Sequence, residues 1–138
     1  MRQPPALTTP QIVHLITGLK RASIVRSFMQ AALEIFGYRV LLAGDGRQAE
    51  KVLSRNAGVD LVVLDIVMPV VGGAEAFHEL RKRWPDLPFL MVSGNSRAQV
   101  ESLEIPPDVP FLEKPYTIDR LAGAVDRVLQ SREPTNRR

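Results

Sequence analysis

The stretch that decides the fold is an apolar run that carries a carboxylate, Leu61-Val62-Val63-Leu64-Asp65-Ile66-Val67-Met68-Pro69. A short, continuous apolar run is typical of a strand buried on both faces of a parallel sheet. Asp65 therefore stands where such a strand would reach the carboxyl edge of its sheet. Open α/β sheets bind their ligands at that edge. The run predicts both a parallel sheet and a candidate site at one edge of it.

Two other apolar runs are followed by polar side chains that suit the same edge. Met91-Val92 leads into Ser93, and Phe111-Leu112-Glu113 leads into Lys114. The carboxyl ends of parallel strands lie along one edge, so side chains that close separate strands can converge on one pocket. We therefore expect Asp65, Ser93 and Lys114 to form a single site.

Strand-like and helix-like patterns alternate along the whole chain. This alternation predicts an α/β fold with a doubly wound, five-stranded parallel sheet. The expected strands are 11–19, 38–43, 61–64, 89–92 and 109–112, and the expected helices are 23–36, 46 to about 56, 74–83, 96–103 and 118–129. We expect a flexible lead at 1–10, one domain at 11–131 and a flexible basic tail at 132–138.

The composition narrows the class of protein. With 138 residues, 45% of them apolar, the chain is long enough for one domain with a single core. The absence of cysteine excludes disulfide and thiolate metal sites and fits a cytoplasmic location. No apolar stretch approaches the roughly 20 residues of a membrane span, and we expect no signal peptide. The net charge of +3 gives little reason to expect direct nucleic-acid binding.

The Asp, Ser and Lys combination resembles the receiver domain of two-component response regulators, and the resemblance covers nearly the whole chain. It implies a flavodoxin-like sheet of strand order 2-1-3-4-5. It also implies that Asp65 accepts a phosphoryl group from a histidine kinase, with the family's loop following at Met68-Pro69 and Gly73. Ser93 matches the hydroxyl residue that binds a phosphoryl oxygen. Lys114 matches the lysine that pairs with the carboxylate or phosphate, next to a cis bond to Pro115.

The resemblance also implies how such a domain signals. Phe111 stands where the family carries its switch aromatic, three residues before the lysine. The chain is then a signalling module and not an enzyme. Its expected partners are a histidine kinase or phosphotransfer protein and a downstream protein, with no nucleic acid and no membrane. A homodimer through strand five and the last helix is a further expectation.

The family pattern breaks at its acidic pair. Receivers usually carry two adjacent acidic residues after strand one, which hold Mg²⁺ together with the phosphoacceptor. Here Lys20 and Arg21 take those positions, and no Asp or Glu precedes Glu34. Because Mg²⁺ requires oxygen ligands, we predict weak or absent binding. If the ion binds, Asp65 and the backbone of Val67 are its expected ligands, and Lys20 or Arg21 should lie near Asp65.

This break keeps a second hypothesis open, a pseudo-receiver that binds partners through the same face without phosphorylation. The missing acidic pair favours that alternative, whereas the intact Asp65, Ser93 and Lys114 favour phosphorylation.

Other patterns point less clearly to a function. The segment 44–49 fits the dinucleotide pattern G-x-G-x-x-A, but it follows the second strand and too little chain remains for a substrate site. A haloacid dehalogenase phosphatase needs a second Asp where Val67 stands. His14 and His78 are not spaced as a metal pair or a catalytic dyad, so we interpret them as ordinary core or surface histidines.

Overall fold

The computed structural model of the protein describes residues 10–17, 22–66, 73–94, 105–106 and 108–136. The strands are β1 (Gln11–Thr17), β2 (Arg39–Ala43), β3 (Val59–Ile66), β4 (Phe89–Ser93) and β5 (Phe111–Glu113). The helices are α1 (Ala22–Ile35), α2 (Gly46–Arg55), α3 (Gly73–Arg83) and α4 (Ile118–Asn136). The strands form one parallel sheet of order β2-β1-β3-β4-β5. This confirms the predicted fold class and strand order.

Helices cover both faces of the sheet. Successive strand residues point to opposite faces, so each strand contributes side chains to both helical layers. In β3, Val62 and Leu64 join the apolar cluster under α2 and α3. Leu61 and Val63 join the cluster under α1 and α4. By the same alternation Asp65 follows Leu61 and Val63, so its side chain belongs to the α1/α4 side. The central strand is therefore apolar throughout its middle, and its carboxylate comes where the strand reaches the edge.

Local chemistry sets the ends of α1 and α2. Gly37 has a φ of 93°, a left-handed conformation that glycine adopts easily, and it ends α1. Asp45 caps α2 by accepting a hydrogen bond of 2.8 Å from the Gln48 backbone N–H. The Gln48 side chain accepts one of 2.7 Å from the Gly44 N–H in return, so the pair resembles a capping box. This capping accounts for the Gly-Asp-Gly segment that also fitted a dinucleotide pattern.

Some predicted boundaries were wrong. Strand three runs from Val59 to Ile66, beyond the predicted 61–64 at both ends. Strand five begins at Phe111 and not at Val109, because the Val109 N–H is bonded within a turn to the Pro106 carbonyl at 3.1 Å. The last helix continues past Leu129 to Asn136. The helix predicted at 96–103 lies outside the described residues. Within the described ranges, no helix is both long and apolar enough to cross a membrane.

Candidate functional site

The site is built around Asp65, near the carboxyl end of the central strand. Its main chain lies between Ile16 of β1 and Val92 of β4. The side chain is 0% exposed, which is unusual for a carboxylate. A buried charge of this kind requires a partner of opposite charge, since isolated burial is very costly.

Lys114 supplies that partner from the residue after β5. Its Nζ lies 2.9 Å from Oδ1 of Asp65, and its side chain is 30% exposed. Its backbone N–H donates to the Ser93 carbonyl at 2.8 Å, which extends the pairing of β5 with β4 by one residue. The expected cis peptide bond to Pro115 follows. The structure thus brings the predicted Asp and Lys into an ion pair at the sheet edge.

The other two predicted site residues, Ser93 and Phe111, lie at the end of β4 and at the start of β5. Ser93 is the last residue of β4, is fully buried, and lies opposite Ile66 in the strand register. It therefore shares the edge of the sheet with Asp65. Phe111 begins β5 and is half-buried against the cluster under α2 and α3. Its ring therefore lies on the α2/α3 face of the sheet, whereas the Asp65 side chain lies on the α1/α4 face.

His14 is a site residue that the sequence interpretation missed. It lies in β1, is 0% exposed, and its Nε2 is 3.8 Å from Oδ2 of Asp65. That distance is too long for a hydrogen bond. Apart from the ion-pair contact of Oδ1 with Lys114, the ring nitrogens of His14 and the carboxylate oxygens of Asp65 have no hydrogen-bond partner within the described part of the chain. His78, in contrast, is exposed on α3 with its ring against Phe77, as expected for a surface histidine.

Tyr116 is the second residue that the sequence interpretation missed. Its ring packs against the cluster under α1 and α4, on the Asp65 side of the sheet. Burial raises the pKa of Tyr116 to about 12, and the negative charge of Asp65 adds to the increase. The phenol therefore stays neutral at physiological pH and reports the charge state of the site.

The pKa of Tyr116 offers a direct test of this proximity. The chain has two tyrosines, so Tyr38→Phe leaves Tyr116 as the single titrating phenol. We expect its pKa near 12 in ultraviolet titration, and a lower value that still exceeds 10 when Asp65→Asn is added, because burial remains. An identical titration with and without the Asp65 charge would contradict the placement.

The same shift predicts a pH dependence of stability. The folded-state pKa of Tyr116 lies above 10.0, the ordinary pKa of a tyrosine, which represents the unfolded chain. The stability that the neutral phenol contributes is thus complete below pH 10 and is lost as the pH rises through about 12. Tyr116→Phe should unfold less steeply over this range in alkaline denaturation.

Comparison with known proteins identifies the family. The sequence model of the response regulator receiver domain matches residues 22–126. The chain belongs to the response regulator receiver domain family. It is 36% identical over 104 residues to the sensor kinase CckA of Brucella abortus, covering 74% of this chain and 11% of that protein. It is 31% identical over 112 residues to the response regulator MprA of Mycobacterium leprae, covering 80% and 48%. The receiver domain thus spans less than half the length of these relatives.

Solved structures agree with this assignment. A response regulator receiver protein of Sinorhizobium medicae is similar with a TM-score of 0.73 at 27% identity, covering 92% of this chain and 99% of that one. TrrA of Thermotoga maritima, solved in complex with Mg²⁺-BeF, shares the fold with a TM-score of 0.71 at 24% identity, covering 87% and 99%. Receiver domains are signalling modules of two-component systems, so this chain is a receiver domain in that type of signalling.

Receiver domains typically bind Mg²⁺, and the weak or absent binding expected for this one stays a prediction. Mg²⁺ requires oxygen donors in near-octahedral geometry. The nearest charged or titratable side chains that the structure shows for Asp65 are the basic groups of Lys114 and His14. No group of three or more His, Cys, Asp or Glu side chains is placed to hold a metal in the described part of the chain. Lys20, Arg21 and Val67 lie outside the described residues, and their expected roles stay predictions.

Proposed function

We propose that Asp65 accepts a phosphoryl group from the phosphohistidine of a histidine kinase or of a phosphotransfer protein. The observation that carries the proposal is the 2.9 Å ion pair between Asp65 Oδ1 and Lys114 Nζ at the carboxyl edge of the sheet. A buried aspartate with a fixed ammonium beside it provides both a nucleophilic oxygen and a charge to stabilise the transferring group.

The transfer requires few groups of the protein. A carboxylate oxygen of Asp65 forms the new P–O bond, while the P–N bond of the donor breaks and its electron pair returns to the imidazole. The Lys114 ammonium then offsets the charge that spreads over the phosphoryl oxygens. Because Lys114 is partly exposed and Asp65 is not, an incoming donor meets the lysine first. Its flexible stem lets the ammonium follow a phosphoryl oxygen as the group arrives.

The roles of the remaining edge residues follow from the resemblance to other receivers. The Ser93 hydroxyl binds a phosphoryl oxygen, and its position at the end of β4, next to β3, supports this role. Phe111 acts as the switch aromatic, and its half-buried position at the start of β5 leaves it room to move. Both roles are part of the proposal.

The partners are proposed on the same basis. A histidine kinase or phosphotransfer protein delivers the phosphoryl group, and a downstream protein, or a second copy of the chain, binds the face formed by β5 and α4. The similarity to response regulators and to a sensor kinase supports this pairing. We propose a cytoplasmic location on the same basis.

Labelling with acetyl phosphate tests the proposal. We expect the intact mass of the protein to rise by one phosphoryl group, and we expect no rise for Asp65→Asn. Asp60→Asn is the matched control, because Asp60 lies on the same strand near the opposite end and accepts a hydrogen bond from the Gln11 N–H at 2.9 Å. Asp60→Asn should label like the unmodified protein. Continued labelling of Asp65→Asn would contradict the proposal, whereas no labelling of the unmodified protein would favour a pseudo-receiver.

A further inference from the structure

His14 has no role in the mechanism above, and burying its imidazole carries a free-energy cost. It is one of three buried polar or charged residues in the described part of the chain, with Asp65 and Ser93. A buried polar group without a hydrogen bond destabilises the fold, and an apolar residue at the same place would avoid that loss. Among the described residues, neither ring nitrogen of His14 has such a bond. The histidine is therefore hard to explain by stability alone.

The two oxygens of Asp65 face different basic side chains. Oδ1 is paired with Lys114, which is 30% exposed, whereas Oδ2 is nearest to the Nε2 of His14, which is 0% exposed. Oδ1 thus lies toward the accessible side of the site and Oδ2 toward the interior. A neutral imidazole carries one N–H donor. Closing the 3.8 Å separation to a hydrogen bond of about 2.9 Å needs a movement of less than one ångström.

We propose that His14 is a positioning residue for Asp65. Its Nε2–H holds Oδ2, so that Oδ1 is the oxygen left to attack phosphorus. Together with Lys114 it orients the carboxylate without a divalent cation, in a chain whose sequence lacks the acidic pair. Phosphorylation of Asp65 is then independent of Mg²⁺. This inference rests on the proposed function, and it adds the residue that orients the acceptor and the metal independence of the reaction.

The reaction with acetyl phosphate shows what each group does. Oδ1 forms the bond to phosphorus, the bond from phosphorus to the acetyl oxygen breaks, and acetate leaves with the electron pair. No proton is gained or lost by Asp65. His14 keeps its proton on Nε2 and donates it in a hydrogen bond to Oδ2 throughout, and Lys114 offsets the charge on the phosphoryl oxygens.

The test compares labelling rates with acetyl phosphate in Mg²⁺ and in EDTA. We expect the unmodified protein to label at similar rates in both. His14→Leu should label slower by on the order of tenfold to a hundredfold in both, because the acceptor oxygen is misplaced. His14→Gln should recover most of the rate, since its amide N–H reaches a similar place. His78→Gln, at the exposed histidine, is the matched control and should leave the rate unchanged.

Two further readouts separate positioning from a structural role. In urea unfolding we expect His14→Leu to keep a cooperative transition with its midpoint well above the conditions of the labelling assay, so that its slower labelling is that of a folded protein. A structural histidine would instead lower the stability and leave the labelling rate intact. The chain has two histidines, so nitrogen NMR gives two sets of ring signals, which His78→Gln assigns. Asp65→Asn should shift the His14 ring signals and leave those of His78 unchanged.

These results distinguish failure of the His14 inference from failure of the proposed phosphorylation of Asp65. Equal labelling of His14→Leu and the unmodified protein, or loss of labelling in EDTA alone, overturns the His14 inference and leaves the proposed function standing. Labelling in neither condition overturns the proposed function and, with it, the metal-independent reaction. In that case the NMR comparison still decides the contact, because an unchanged His14 signal in Asp65→Asn shows that the ring does not hold the carboxylate.

Discussion

Replacement of Lys114 by Met is expected to destabilise the domain by about 3 kcal/mol. The change leaves the Asp65 carboxylate buried without the ammonium that now lies 2.9 Å from Oδ1. Removing one member of a buried pair costs more than the pair contributes, because the remaining charge is left uncompensated. The figure is at the low end of the usual range, since the lysine is 30% exposed. Urea unfolding at neutral pH measures it.

A double-mutant cycle isolates the pair. In the Asp65→Asn background the same Lys114→Met change should cost much less, because no buried charge is left behind. Lys51→Met, at an exposed lysine of α2, is the control and should change the stability by no more than about 0.5 kcal/mol. An equal loss for Lys114→Met in both backgrounds would show that the ion pair does not stabilise the fold.

Replacement of Phe77 by Ala should cost about 3–5 kcal/mol, the largest effect we expect in the core. Phe77 is 1% exposed and holds α3 on the sheet, with its ring 5.0 Å from that of Phe89 in an edge-to-face contact. Removing the ring loses apolar burial and leaves a cavity that the surrounding helix and strands cannot fill. Urea or thermal unfolding measures the loss.

Phe36→Ala is the matched control for this change. Its side chain is 46% exposed, so much less apolar area is lost when it is truncated. Its cost should be a small fraction of that for Phe77→Ala. Similar losses at the two positions would contradict the assignment of Phe77 to the centre of the core beneath α2 and α3.

Much of the fold was predictable, because the decisive signals are local. Leu61 to Leu64 form a continuous apolar run. Such a run is what a strand requires when it is paired on both sides and covered on both faces, because all its side chains are then buried. Asp65 and Lys114 were predictable for a related reason. Each polar residue follows such a run, and parallel strands bring their ends to one edge. Their ion pair is the consequence.

The predictions that failed depended on contacts distant in sequence or on backbone bonding. Val109 has the composition of a strand residue, but its N–H is bonded to Pro106 in a turn. His14 lies among apolar residues of β1, and nothing near it in the sequence indicates a site. It meets Asp65 because β1 pairs with β3, which brings together residues that are far apart in the chain. Tyr116 reaches the site in a comparable way, from beyond the end of β5.

The most direct test of the central claim locates the phosphoryl group that acetyl phosphate leaves on the protein in EDTA. Borohydride reduces an aspartyl phosphate to homoserine, so peptide mass spectrometry after reduction identifies the residue that carried it. We predict homoserine in place of Asp65, the carboxylate held between Lys114 and His14. Homoserine at another aspartate, or an unmodified Asp65 in a protein that gained the phosphoryl mass, would contradict the account.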